Sequence, residues 1–461
     1  MREVNQVFEQ GFVAGLRPQP QIRPAVQVLM RSLNLVPTKL GLEPRDVVVN
    51  PVDIAEIQYP FPALYVLSRY TLLFTRYDLY RVEADWELTH IAHQDWGDLP
   101  HIADFMDYVV FSTPTGQWSL RDYTLSNDLQ GAEFKTCTNF RGQLVIGNCT
   151  LPKGPALENG EIVESATDVS GEGAVGWAKI GALDWEYTIG NEVGWAPMPW
   201  VGSVLGLLPL GKEVVVYGEN GLAKLSPAKE PVTTFGVQEF GDVGVCNRNC
   251  FAGDFTTHLF IGTDRALYSV SPERALSGEG KLPAYLGFEE WISQLTDPIV
   301  TFDPIKRYWW IGDKEHCFIY SGSGLGESSQ TPTHLSRLDG QLVGITVQHH
   351  PDSAIVETGD ISFDSRGFKT LMCVESDLRA SDKVYGSTSF RYDYTKAERD
   401  SAPIKLDPRG GFFPIVAGTE IRVRFVCSDF QGFYLSKLWL HFKNTDKTFS
   451  RGVINAGRPS D

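Results

Sequence analysis

The segment Glu213 to Pro227 sets an apolar run, Val214-Val215-Val216-Tyr217, before Asn220-Gly221, and a second run, Leu222 to Leu225, before Ser226-Pro227. An Asn-Gly pair between apolar runs signals a tight hairpin, because both central residues of a type I′ turn need positive φ. The unit recurs. His258 to Pro272 carries Leu259-Phe260-Ile261-Gly262, a polar turn, then Ala266, Tyr268 and Val270 in alternation before Ser271-Pro272. Tyr308 to Tyr320 repeats it as Tyr-Trp-Trp-Ile-Gly, a charged turn, and Cys317-Phe318-Ile319-Tyr320. A hairpin that returns along the chain cannot bury both of its faces alone, so it points to a repeat architecture whose units cover one another.

Apolar runs beginning near 73, 109, 144, 178, 214, 259 and 308 extend the pattern upstream. The starts lie about 35 to 49 residues apart, and four-stranded propeller blades run at roughly 40 to 50 residues. The expectation is an all-β chain. Residues 51–345 form a β-propeller of six or seven blades, closed so that no strand edge is left open. From residue 346 to 461 the pattern changes to single alternating strands: Ile355 to Glu357, Ile361 to Phe363, Thr370 to Val374, Ser387 to Tyr392, Ile404 to Leu406, Thr419 to Val426 and Tyr434 to Phe442. Ile421, Val423 and Phe425 alternate with Arg422 and Arg424, the mark of one buried and one wet face, so an appended C-terminal antiparallel β-sandwich or platform is expected. The tail after Phe449 is expected to be loose.

Residues 1–50 read as an arm. Val4, Val7 and Phe8 suggest a short amphipathic helix over Glu3 to Phe12. Pro18, Pro20 and Pro24 enforce an extended path, and Val26, Leu29, Met30 and Leu33 suggest a second helix before Pro37. The arm either packs on another molecule or folds over its own domain. The opening residues lead into no apolar stretch, so no secretory signal is expected, and no run reaches the ~18 apolar residues of a membrane helix.

Few residues arrange themselves for chemistry. Cys246 and Cys250 have a Cys-x3-Cys spacing with His258 beyond, but no second pair completes a structural zinc site. His90, His93 and the pair His349-His350 read as surface or hydrogen-bonded groups, and Cys317 and Cys373 as small buried hydrophobes. Asp184 and Glu186 flank Trp185, and Glu289-Glu290 precede Trp291; acids beside an aromatic resemble a sugar site, yet neighbouring strand positions face opposite ways and would not converge. Gly322 to Gly326, with Ser328 and Ser329, reads as a flexible loop without the Lys-Ser/Thr of a phosphate cradle. Asn148-Cys149-Thr150 is a chance sequon. No catalytic, cofactor or metal site is expected, and the chain is not expected to be an enzyme. The net charge of −16 argues against a nucleic-acid-gripping surface.

Gly181-Ala-Leu-Asp-Trp-Glu-Tyr-Thr, then Trp195-Ala-Pro-Met-Pro-Trp-Val-Gly-Ser-Val leading to the Val214 hairpin, resemble the tail nozzle, or hub, proteins of short-tailed bacteriophages. Asn34-Leu-Val-Pro-Thr-Lys-Leu-Gly-Leu-Glu-Pro and the strand-rich stretch from Val356 to Gly452 extend the resemblance over most of the chain. It implies a structural virion protein made in the host cytoplasm. Six copies would form a homohexameric ring between a tail adaptor near the portal and the tail fibres or spikes. DNA would pass through the lumen during ejection without specific binding, no membrane would be entered, and an acidic lining would repel phosphate. Two alternatives stay open: a propeller that binds host glycans on Trp195, Trp200, Trp309 and Trp310, and a propeller that degrades polysaccharide.

Overall fold

A computed structural model describes residues 3–17, 27–52, 58–152, 155–158, 161–164, 169–186, 192–228, 235–272, 282, 287–348, 353–361, 368–380, 383–392 and 397–444. The chain is all-β with a propeller-like body. Six antiparallel sheets follow one another. Sheet one holds Ala63–Val66, Thr71–Phe74, Asp78–Val82 and Leu88–His93, and sheet two His101–Phe105, Tyr108–Thr113, Gly116–Arg121 and Thr124–Ser126. Sheet three holds Glu133–Phe140, Gln143–Leu151, Val169–Trp177 and Gly194–Pro197, and sheet four Val204–Leu210, Glu213–Gly218, Leu222–Pro227 and Phe235–Gly241. Sheet five has three described strands, Phe251–Gly253, His258–Ile261 and Leu267–Val270; sheet six has Ile299–Asp303, Tyr308–Gly312, Cys317–Tyr320 and Leu325–Glu327. Two short ladders follow, Gln330–Pro332 with Thr346–Gln348 and Ser336–Leu338 with Gln341–Val343.

The apolar runs have a physical reason. Side chains on a strand alternate between faces, and here each face meets a different neighbour. Val214 and Val216 enter the cluster between sheets three and four, whereas Val215 and Tyr217 enter the one between sheets four and five. Trp309 and Ile311 pack toward sheet five, and Trp310 turns the other way toward Leu335 and Leu342. The last cluster joins Val343 and Ile345 to Leu64 and Leu73 of sheet one, so the succession of interfaces returns to its start. Each fully buried valine or leucine contributes roughly 1.5–3 kcal/mol, and burial on both faces doubles the apolar area per strand.

Six of the seven expected starts fall on the second strand of a sheet. The start near 178 does not. Val169–Trp177 is the third strand of sheet three and ends there, and Ala178 to Glu186 is turn and irregular chain. An inserted hairpin, Pro155–Glu158 with Glu161–Glu164, lengthens this unit until it occupies the sequence of two.

The hairpin at Glu213 is present, with Tyr217 opposite Leu222, but it is not a type I′ turn. Neither Asn220 nor Gly221 has positive φ. The Gly218 amide instead donates to the Gly221 carbonyl at 3.0 Å, and the Asn220 amide group donates to the Val201 carbonyl at 2.7 Å. Trp200 covers the turn so closely that a Cβ on Gly218 would lie 2.4 Å from its ring. These glycines are there for close approach. Asn220→Ala, which removes an exposed bond, is expected to cost about 0.5–1 kcal/mol in urea denaturation.

The N-terminal segment departs most from expectation. Glu3–Phe8 is a strand, helix is confined to Gln10–Ala14, and Leu29–Leu33 is a strand where a second helix was expected; Pro18, Pro20, Pro24 and Val26 lie outside the described residues. Glu3–Phe8 pairs with Leu438–Asn444 in a sheet with Lys369–Ser376 and Val416–Gly418. Leu29–Leu33 pairs with Ala354–Thr358, which continues through Glu420–Cys427 to Val384–Arg391. The two sheets share one apolar cluster in which Phe8, Phe12, Leu438 and Leu440 meet Val356, Val423 and Phe425. Tertiary pairing overrides the local helical pattern, because an edge of the C-terminal sheet is there to be covered. The expected C-terminal strands fall within one to four residues of those observed; of Ile361 to Phe363 only Ile361 is described, in a bridge to Ile421.

Leu33 also bridges Glu327 in parallel, which makes sheet six and the C-terminal sheet one continuous hydrogen-bonded surface. The Gly322 to Gly326 stretch therefore is not a free loop. Leu325–Glu327 is a strand, and a Cβ on Gly324 or Gly326 would lie 2.3 Å from the Ala14 carbonyl or 2.1 Å from that of Leu35. Ser328 and Ser329 are buried beneath the crossing. Arg45, 3% exposed, closes this junction. It donates to Asn34 Oδ1 at 2.8 Å, Gln330 Oε1 at 2.6 Å and Ser329 Oγ at 3.1 Å, with its guanidinium over the rings of Phe430 and Trp310.

Candidate functional site

The first strand of each of the six sheets, together with Thr333 to Arg337, lines a cavity of about 540 Å3. Its wall is largely apolar: Leu207, Leu208, Phe251, Val300 and Leu335 face it. Polar side chains such as Thr138, Asn249 and Ser336 interrupt that wall, and with them four basic groups.

Arg248 arrives on the connection between sheets four and five. Its Nη2 donates to the Ser112 carbonyl at 3.2 Å and the Lys135 carbonyl at 3.3 Å, while Nε is sealed from solvent without a partner. Burial pulls its pKa below the usual arginine value, against the opposing pull of Asp98, although an arginine remains charged near neutrality even so. Asp98 Oδ1 is itself occupied, accepting from Asn249 Nδ2 at 2.9 Å and the Leu99 amide at 2.7 Å.

His101 is bound on both ring nitrogens, Nε2 to the Arg248 carbonyl at 2.9 Å and Nδ1 to Thr136 Oγ1 at 2.7 Å. The Nε2 nitrogen must donate, since a carbonyl only accepts, so in the neutral ring Nδ1 accepts from Thr136. Burial and the Arg248 charge hold its pKa well below the usual range. His334 stacks on Tyr65 at 4.0 Å between ring centroids, and burial lowers it to about 4. Arg337 differs. It donates through Nε to Asp303 at 2.9 Å and through Nη2 to Asp46 at 2.6 Å, and also pairs Nη2 with Asp303. Burial works against its charge, but these bonds more than offset that and raise its pKa.

The residues singled out in the sequence lie elsewhere. His258 is wholly buried between Tyr217 Oη, 2.8 Å from Nδ1, and the Pro209 carbonyl, 2.9 Å from Nε2. It is a satisfied core histidine. Cys250 contacts the Pro298 carbonyl at 3.1 Å and its thiol is raised by burial, while a hydrogen bond from Cys250 lowers the Cys246 thiol. Among the described residues, no three His, Cys, Asp or Glu side chains gather as a metal site. His90 and His93 both reach Asp78 Oδ1, at 3.1 and 2.7 Å, on an exposed strand. Cys317 is buried and Cys373 half-buried; His349 and His350 lie outside the described residues.

Trp185 is buried and donates to the Leu129 carbonyl at 3.0 Å, and Asp184 Oδ1 accepts from the Glu186 amide at 2.9 Å, so this trio makes a turn. Glu289 and Glu290 open a short helix, Phe288–Ile292, instead of lying on a strand. Asn148 sits at a register shift with φ 50° beside buried Cys149. Of the four tryptophans proposed as sugar platforms, Trp309 and Trp310 are core residues and Trp200 caps the hairpin glycines; Trp195 is 47% exposed. Among the described residues, no helix is long and apolar enough to cross a membrane.

No protein-family model and no curated protein matches this sequence. Solved structures give weak likenesses. PorZ, an essential bacterial surface component of the type-IX secretion system of Porphyromonas gingivalis, aligns at TM-score 0.34 and 9% identity over 64% of this chain, which spans only 35% of that protein. The WD40 domain of Neurospora crassa Pan2 aligns at 0.35 and 7% identity over 65% of this chain and 86% of its own. BamB from Moraxella catarrhalis aligns at 0.31 and 8% identity over 64% and 92%.

Proposed function

We propose that the chain is a structural subunit of the tail nozzle of a short-tailed bacteriophage. In this reading the body is a seven-bladed propeller, six blades being the sheets described and the seventh the ladders between Gln330 and Gln348. The two sheets built on residues 354–444 form a β-sandwich platform, and six copies make a ring that leads DNA outward. A net charge of −16 suits a lumen that must release phosphate.

One observation supports assembly above the others. Phe413 and Ile415 project from the platform at 60% and 65% exposure, and Ile415 holds φ 42°. A β-branched residue in the left-handed region is strained by roughly 1–2 kcal/mol. A strained apolar side chain held out in water serves contact with another surface.

Light scattering on the purified protein, alone and with tail extract, tests this. The expected result is a six-fold mass under at least one condition, abolished by Phe413→Asp. Ile415→Gly is expected to raise the stability of the single chain by about 1 kcal/mol while weakening the ring. A stable monomer that joins no ring under either condition overturns the reading. Exposed Trp195 favours a glycan-binding module as the second reading, for which retention on a glycan array lost in Trp195→Ala is the expected result.

A further inference from the structure

We propose that the axial cavity is a binding site for a small amphipathic anion, a carboxylate or phosphate monoester with an apolar body, held by Arg248. A volume of about 540 Å3 lies within the range of ligand sites, and its mixed wall sets an apolar stretch, Leu207, Phe251 and Val300, beside charged and polar side chains.

The charge supplies the specificity. Among the described residues, no carboxylate approaches the Arg248 guanidinium within 4.0 Å, and only Nη2 is hydrogen-bonded. Both acceptors are neutral carbonyls. Two other partly buried arginines are treated otherwise: Arg337, which lines the same cavity, has Asp303 and Asp46, and Arg422 has Asp360 and Glu398. A partly buried guanidinium is stabilised by an anion that shares its site, and Nη1 is the nitrogen left to donate to one. Asp98 supplies part of that charge, but from beyond ion-pair contact. His101 is neutral and turned onto the Arg248 carbonyl, and Asp98 is engaged by Asn249 and the Leu99 amide. Phe251, Leu207 and Val300 would receive the apolar part.

Calorimetric titration of the full chain with benzoate, phenyl phosphate and the neutral isostere benzamide tests this. One site per chain is expected for benzoate or phenyl phosphate, whichever oxyanion fits better, with binding at least roughly ten-fold weaker in Arg248→Gln and intermediate in Arg248→Lys. Benzamide is expected to bind at least roughly ten-fold more weakly than benzoate. Equal affinity of the wild type for benzoate and benzamide overturns the proposal even if the glutamine variant does not fold, as does unaltered anion binding in a folded Arg248→Gln. Failure of both anions to bind overturns it too. None of these outcomes depends on ring assembly.

Discussion

Phe12→Ala is expected to destabilise the protein by about 3–5 kcal/mol. Phe12 is wholly buried, its ring meets that of Phe8 edge-on at 5.0 Å, and it lies in the cluster shared by the two C-terminal sheets. Its helix is only Gln10–Ala14, too short to stand alone, so the ring is what docks it. Truncation leaves a cavity that strands paired on both sides cannot close. Urea denaturation checks the magnitude. Val7→Ala, at a position 41% exposed on the neighbouring strand, should change stability by less than about 0.5 kcal/mol. A loss below about 1 kcal/mol for Phe12→Ala would show that the N-terminal segment is not docked as described.

Acidification is expected to cost about 4 kcal/mol between pH 7 and pH 5 through two histidines alone. Burial holds both His258 and His334 at about 4 in the folded protein, against an ordinary 6.5; for His258 the hydrogen bond to the Pro209 carbonyl works the other way and is outweighed. In that window the unfolded chain binds protons that the folded one refuses. Their stabilisation is therefore complete above pH 6.5 and is lost as the pH falls toward 4, at about 2 kcal/mol each by pH 5. His101 is shifted in the same sense. Glu327, raised by burial, acts oppositely at lower pH. His334→Phe keeps a ring against Tyr65 and removes one of three such titrations, so it should lower the slope of urea midpoint against pH by about a third. Parallel pH profiles for the two proteins would refute the assignment to His334.

The body was legible because a strand buried on both faces leaves an unmistakable apolar run. Val214 to Tyr217, Leu259 to Ile261 and Trp309 to Ile311 each sit on the second strand of a sheet. The same property misled the reading of Trp309 and Trp310. Paired tryptophans suggest a binding surface, yet adjacent strand residues simply fill two different interfaces. The insertion in sheet three was not legible, since it lengthens one unit to the span of two and its turn residues look like any others. Nor was the pairing of Glu3–Phe8, whose helical spacing of Val4, Val7 and Phe8 is overruled by a partner strand at the far end of the chain. The axial cavity left a fainter trace. Cys246-Asn-Arg-Asn-Cys250 is a polar interruption between two apolar units, but the wall it faces is assembled from segments scattered between Tyr65 and Arg337. Periodicity finds neighbours in a sheet and is blind to residues that meet only on an axis.

The pairing of Glu3–Phe8 with Leu438–Asn444 imposes an order on biosynthesis. Ribosomes add roughly 5–20 residues per second, so the first strand waits on the order of 20 to 90 s before its partner emerges. Sheets one to six can close against one another as they appear, each from contacts local to its own hairpins. The last strand has Lys369–Ser376 to pair with as it emerges, but the first has no such neighbour in time. During that interval the hydrogen-bonding edge of the strand lacks its partner, and nascent copies on one messenger carry the same edge side by side.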